Sequence, residues 1–497
     1  MVGQARPRRE RKAMKLWKSS SMSVFFTLAL TTLGFLLHTA STGQTWAAGD
    51  PPEASQALIS HFAAPENAPA VTRWMDPHNR GRLPHSIQPE TEPLRIQKVT
   101  PSSTGRLPRL GDGPEPSAGR IAVVVHQDIH DLILEGLSQY EADLAAMGYS
   151  TVKLVFDSGT PEGLRASLAQ LYGETESLVG AVLVGEIPYA IFEMYDEFGE
   201  SLHQYTDFPC DLFFMDLDGQ WADTLDDGEI QAGNGKYDTW SGAKDLEIWV
   251  CRLKAANLTG FNVSEMPTES FQAYMYTSYF SKNHRYRVGN DVPTRAALVY
   301  NDDPWQYLGP EDAQALSEVF GASNVVSELN PLITTQADYL TTRIPAAPQL
   351  IFLRSHGYSE GHVFDPDYEF VTSGDYRIVN PHTPFFSLYV CSGSDFTADN
   401  NLAGTIALNP DDSGLLAWGS TKTGGMWADG PFYEALAQGE IFGEAFKRWY
   451  NGIVESQFYP EQFMNEWWGG MVLIGDAALK PLTDASPTGS LDRKSVV

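Results

Sequence analysis

Short apolar runs, each closed by glycine or a polar turn, alternate along this chain with longer stretches whose apolar positions recur every three or four residues. From residue 120, RIAVVV reads as a strand and 133–146 as an amphipathic helix. GYSTVKLVFDSG then reads as a strand, PEGLRASLAQLYG as a helix and LVGAVLVG as a third strand. A helical connector over 270–283 leads to RAALVYNDDPW, a strand, after which 309–320 is a helix, SNVVSEL a strand and TQADYLTTRI a helix. Two further apolar runs, 350–353 and 385–390, have the pattern of buried strands, and GLLAWGS continues the series. Alternation of this kind predicts an α/β fold, with parallel strands joined by crossover helices.

The N-terminal part follows other patterns. MVGQARPRRERKAMKLWKSSSMS is basic, and VFFTLALTTLGFLLHTA is apolar but shorter than the roughly 20 residues of a membrane span. This predicts a signal peptide over 1–47, cleaved after Ala47, with an uncleaved N-terminal anchor as the alternative and Met14 as a second possible start. Residues 48–118 are Pro-rich and polar with no sustained hydrophobic period, as expected of a pro-segment or a linker. Arg82, Arg106 and Arg109 within it, and Arg120 just past it, offer basic processing sites.

Composition narrows the partners. The formal net charge is −29 at pH 7, and 1–47 is itself basic, so the exported remainder is more acidic still. Such a surface repels nucleic acid and anionic lipid. With 42% hydrophobic and 12% aromatic residues the chain is no disordered acidic protein, and its length suits two domains. Three cysteines exclude a dense disulfide framework and a Cys-based zinc site. Between 207 and 245, acids alternate with glycines. Asp216, Asp218, Asp223, Asp226, Asp227 and Glu229 are hard oxygen donors suited to a structural calcium, or else a solvated acidic loop. The spacing is not that of an EF-hand.

The strand at 350–353 delivers His356, and the strand at 385–390 delivers Cys391. Functional side chains gather past the carboxyl ends of parallel strands, so the two are expected to meet. A thiol is mostly protonated at neutral pH, and a neighbouring imidazolium stabilises its thiolate and then donates a proton to a leaving amine. Gly357 clears space beside the imidazole, and Gly393 is expected to let the turn after Cys391 aim N–H groups at a carbonyl oxygen. The pair reads as a cysteine hydrolase site. Otherwise Cys391 is a small buried hydrophobe.

SHG closing one strand and YVCSGSDF closing a later one resemble the gingipain-type cysteine peptidases, relatives of the caspases and legumains. Downstream, GLLAWGST, GGMWADG, FYEALAQG and IGDAALKP match the order of that family's landmarks, as do LVGEIPY, CDLFFMDLDGQW and LEIWVCRL upstream, with Glu186 where the family has Asp. The likeness spans about 360 of the 497 residues. It implies two caspase-like subdomains, each a mainly parallel sheet flanked by helices: 119–285, carrying the acidic loop, and the catalytic 286–482, before a tail at 483–497.

The resemblance further implies a secreted endopeptidase acting on proteins or peptides through a thioester acyl-enzyme. Cys391 is its nucleophile, His356 its acid and base, and Gly357 with the Cys391 N–H its oxyanion hole. The chemistry needs no cofactor, and the family carries structural calcium. Asp302 or Asp303 is expected to orient His356, unless both only initiate a turn. The same landmarks bring Cys210 and Cys251 close, as a bridge or as two free thiols. Trp427 and Asp429 fall in the pocket wall, where Asp429 suits a basic P1 residue. Arg354 departs from the family pattern and suits an acidic P1, or pairs with Asp429. A transpeptidase with the same site and a non-catalytic binding protein on this scaffold are the rival functions.

Overall fold

The computed structural model describes residues 93–99, 118–174, 178–196, 204–291, 293–365 and 368–482. The expected signal peptide, most of the 48–118 segment and the 483–497 tail lie outside the described residues.

Among the described residues, eleven strands form one sheet. In chain order they are β1 (Arg95–Val99), β2 (Arg120–His126), β3 (Ser150–Ser158), β4 (Leu178–Val184), β5 (Trp249–Leu253) and β6 (Thr294–Asn301). After these come β7 (Val325–Glu328), β8 (Pro348–Arg354), β9 (Phe385–Tyr389), β10 (Leu416–Ser420) and β11 (Met471–Gly475). Their spatial order is β1-β3-β2-β4-β5-β11-β10-β9-β8-β6-β7. Neighbours are parallel except β1 with β3 and β10 with β11. Every residue of β5, β8, β9, β10 and β11 is buried, as parallel strands are when helices cover both faces.

Four of the helices that the apolar period predicts are present. α1 (Leu134–Ala146) buries Leu137, Tyr140 and Leu144 along one stripe. α2 (Pro161–Tyr172) starts at Thr160, whose side chain accepts from Gly163 N, with proline at the first turn. The expected connector is α3 (Thr268–Arg287), longer at both ends than the sequence suggests. TQADYLTTRI is not one helix but three short turns, closed by Pro345 and by Ala347 in a left-handed conformation (φ 48°). Among the described residues no helix is long and apolar enough to cross a membrane.

Two features escape the sequence pattern. Part of the Pro-rich segment is β1, an edge strand laid antiparallel on β3, with Leu94 packed against Gly159 and Gly163. More consequentially, strands from 119–285 and from 286–482 share one sheet, because β11 enters between β5 and β10. Just past β11, the fully buried Asp476 receives Tyr140 Oη at 2.8 Å, Asn283 Nδ2 at 2.7 Å and Arg287 Nη2 at 2.5 Å. One carboxylate thereby ties α1 and α3 to the end of β11.

Replacing Asp476 by Asn leaves the Arg287 guanidinium, whose side chain is only 8% exposed, without its counter-charge. The expected loss of unfolding free energy is about 3–5 kcal/mol, read by urea denaturation. A loss under about 1 kcal/mol would contradict a structural role for this contact.

Candidate active site

β8 and β9 are adjacent and parallel, in a register that pairs Arg354 with Tyr389. Two residues further on, each chain reaches a candidate catalytic residue: His356 after β8 and Cys391 after β9. Gly357 draws the two turns together. A Cβ there would lie 2.0 Å from Val390 Cγ1, so only glycine lets the residue after His356 rest on the residue before Cys391. Ser355 N also donates to Tyr389 O, at 3.2 Å. Cys391 is partly exposed and the His356 side chain is 28% exposed.

The turn after Cys391 differs from expectation. Its left-handed residue is Ser392 (φ 55°), a conformation that strains any residue with a Cβ, and not Gly393. Gly393 sits in a tight place, since a Cβ there would meet Val390 Cγ1 at 3.1 Å. The N–H groups of Ser392, Gly393, Ser394 and Asp395 donate to the carbonyls of Lys422, Val390, Ser420 and Ser392, so they hold the turn rather than point outward. Beyond it, Asn257 Nδ2 donates to Phe396 O at 2.9 Å, and the Arg252 guanidinium lies 4.6 Å from the Phe396 ring centroid. Arg252 is itself clamped by both carboxylate oxygens of Asp211, at 2.6 and 2.7 Å.

The stretch after His356 is a three-stranded antiparallel sheet of His356–Tyr358, Gly361–Phe364 and Glu369–Thr372. It returns Asp365 to the imidazole, with Asp365 Oδ2 at 3.9 Å from His356 Nε2. The Trp305 ring meets the imidazole edge to face, with centroids 4.8 Å apart. Asp302 is fully buried and enters this arrangement through Asp365, whose N–H it accepts at 2.9 Å. Asp303 opens a 3₁₀ turn, Asp303–Leu308, in keeping with the turn alternative, and its side chain lies outside the described part. The sequence pointed to neither Asp365 nor Trp305, because a hairpin return and a turn bring them in.

Arg354 neither swings out to solvent nor faces Asp429 alone. It is 3% exposed and gripped by both oxygens of Asp312, at 2.9 and 2.7 Å, with Asp429 Oδ2 3.7 Å away. Its guanidinium stacks over Tyr389 at 4.4 Å and stands 5.9 Å from the Trp427 ring. Burial disfavours its charge, but Asp312 and then Asp429 outweigh this and hold it firmly protonated. Burial pushes the Asp429 carboxyl up to about 7, with Arg354 opposing and Asp312 adding to the rise. Asp312 was legible in hindsight as an acid on the apolar stripe of α4 (Gly309–Phe320), beside Leu316 and Val319. An acid there needs a buried partner.

Of the candidate metal ligands, the fold gathers Asp216 and Asp218 and adds Glu247, with one oxygen of each within 4.8 Å of the others. Asp223 is instead a turn acceptor for Gly233 N and Gly235 N, at 2.6 and 2.7 Å. Asp226, Asp227 and Glu229 are exposed and outside the cluster. Burial raises the Asp216 and Glu247 carboxyls, and Asp218 adds repulsion to both. Arg165 closes the loop from behind, donating to Asp216 O and Gly219 O.

Cys210 and Cys251 are free thiols. Cys210 Sγ donates to Gly469 O at 3.2 Å, and Cys251 Sγ accepts from Ala477 N at 3.5 Å. The chain matches no protein-family model and no curated protein.

Native-state alkylation should therefore discriminate among the three thiols. Cys210 and Cys251 are 2% and 0% exposed, and burial pushes both thiols up, so Cys391 should react with iodoacetamide first by at least tenfold. Peptide mapping after timed quenching reads the order, and equal labelling would contradict it.

Proposed function

We propose that this chain is an exported cysteine endopeptidase, with Cys391 as nucleophile and His356 as acid and base. The observation that carries the reading is the packing of Gly357 on Val390, which sets the residues flanking His356 and Cys391 against each other at the ends of paired strands. The order of landmarks from Leu183 to Pro481, which resembles the gingipain-type peptidases, supports it independently. On this reading 119–285 and 286–482 are two caspase-like subdomains sharing the sheet, and 1–47 directs export.

The thiolate sulfur attacks the scissile carbonyl carbon, and the carbonyl π electrons move onto oxygen, with Gly357 and the Cys391 N–H as the expected donors to it. Collapse expels the amine, which takes its proton from the His356 imidazolium and leaves a thioester. His356 then removes a proton from water, which attacks the thioester and releases the acid and the thiol. An acceptor amine in place of that water gives transpeptidation from the same intermediate. Asp365 is a positioning residue, since a carboxylate beside the imidazole favours its charged form and holds the ring. Calcium would be held by Asp216, Asp218 and Glu247, where it supplies no step and offsets the mutual repulsion of the acids.

Cys391→Ala should abolish turnover with a melting temperature within about 2 °C of wild type, because a thiol-to-methyl change at a partly exposed site removes little packing. Residual cleavage at the wild-type rate would sink the assignment.

Asp365→Asn should lower kcat/KM by on the order of tenfold or more and move the alkaline limb of its pH profile to lower pH, since the imidazolium loses its neighbouring charge. A purely structural role would lower activity without moving the limb.

For the acidic loop, chelation should reduce the melting temperature by several degrees, restored by calcium, and Asp218→Asn should blunt that response. Melting curves that coincide with and without chelator, on protein verified metal-free, would count against the site.

A further inference from the structure

Four enclosed polar atoms near Cys391 have no hydrogen-bond partner among the described residues: Arg354 Nη1, Asp429 Oδ2, the Tyr389 hydroxyl and Ser355 Oγ. An unpartnered buried donor or acceptor loses its hydrogen bonds to water without replacement, and native proteins hold few of them. Three of the four belong to side chains that lie together, those of Arg354, Asp429 and Tyr389. Tyr389 lies two residues before Cys391, whose thiolate adds to the upward push on its hydroxyl. The Arg354 guanidinium stacks on the Tyr389 ring, and Asp429 Oδ2 lies 3.7 Å from Arg354 Nη2. Trp427 and Trp467 extend the same wall, with ring centroids 5.5 Å apart. The loop that carries Asp429 is held in place, with Ala428 in a left-handed conformation (φ 55°) and the carbonyls of Trp427 and Ala428 accepting from Trp449 Nε1.

We propose, resting on the peptidase reading above, that this enclosure takes the P1 side chain and selects a carboxamide, Asn or Gln. The amide oxygen accepts from Arg354 Nη1 and the amide nitrogen donates to Asp429 Oδ2, which satisfies one buried donor and one buried acceptor together. The charge-led alternatives suit the group less well. A Lys or Arg side chain would bring a second cation beside a guanidinium that Asp312 keeps charged and Tyr389 keeps in place. An Asp or Glu side chain would bring a third carboxylate beside Asp312 and Asp429. A carboxamide adds no charge and carries both a donor and an acceptor. Burial raises the Asp429 carboxyl, and Arg354 opposes the rise. The charged and titratable groups around it are Arg354, Asp312 and Glu311, together with Tyr433 from its own helix.

A P1-scanned peptide library, incubated with the purified chain and read by mass spectrometry, tests this directly. The expected result is a kcat/KM at least tenfold higher for Asn or Gln at P1 than for Lys, Arg, Asp or Glu, because a site built to hydrogen-bond a substrate group rejects analogues lacking it. Comparing the Asn and Gln members gives the preferred length. In Asp429→Asn, checked for folding by its melting temperature, the ratio of Asp or Glu to Asn or Gln cleavage should rise at least tenfold, as the opposing carboxylate is gone. Preference for Lys and Arg, for Asp and Glu, or a ratio unmoved by Asp429→Asn overturns this inference and leaves the peptidase reading standing. No cleavage of any library member overturns both.

Discussion

The insertion of β11 between β5 and β10 is the constraint on which the rest of the molecule depends. It is the last strand among the described residues, and it joins sheet segments built from residues far apart in sequence. Its register pair with β5 is Ile474 with Arg252, and against β10 it is paired from Met471 to Gly475. So slight a junction on one side needs reinforcement. Asp476 provides it, as a buried carboxylate whose hydrogen bonds come from two helices, so that backbone pairing and a charged cluster support one another.

The candidate site draws on the same junction. Arg252, on the strand next to β11, packs on Phe396, and Asn257 holds the backbone at Phe396, so the chain after Cys391 is anchored by the opposite part of the sheet. The other side of the Cys391 turn rests on carbonyls of Ser420 and Lys422, at and just past the end of β10. Strained backbone at Ser392 and Ala428 and the buried Asp312–Arg354–Asp429 cluster all cost free energy locally. They persist because the surrounding sheet and the aromatic wall leave those residues no better arrangement.

His356 is supported differently from Cys391. Its hairpin is antiparallel, stands apart from the main sheet, and ends on Asp365, whose backbone is tied to the buried Asp302. The acid beside the imidazole is therefore placed by a second acid beneath it.

The strand and helix alternation, the burial of β8 and β9, and the presence of a histidine and a cysteine just past them were all legible in the sequence. Each rests on local periodicity and on the rule that parallel strands deliver side chains to a common edge. Gly357 was legible as a small residue, but its partner Val390 was not. What only the tertiary structure decided lies in contacts between residues distant along the chain: one sheet spanning both regions, Asp365 and Trp305 beside His356, Asp312 gripping Arg354, and Glu247 completing the acidic cluster. The physical reason is the same in each case. Local patterns determine which residues can be strand, helix or turn, whereas a buried charge finds its partner through packing, and packing is settled by the whole chain at once.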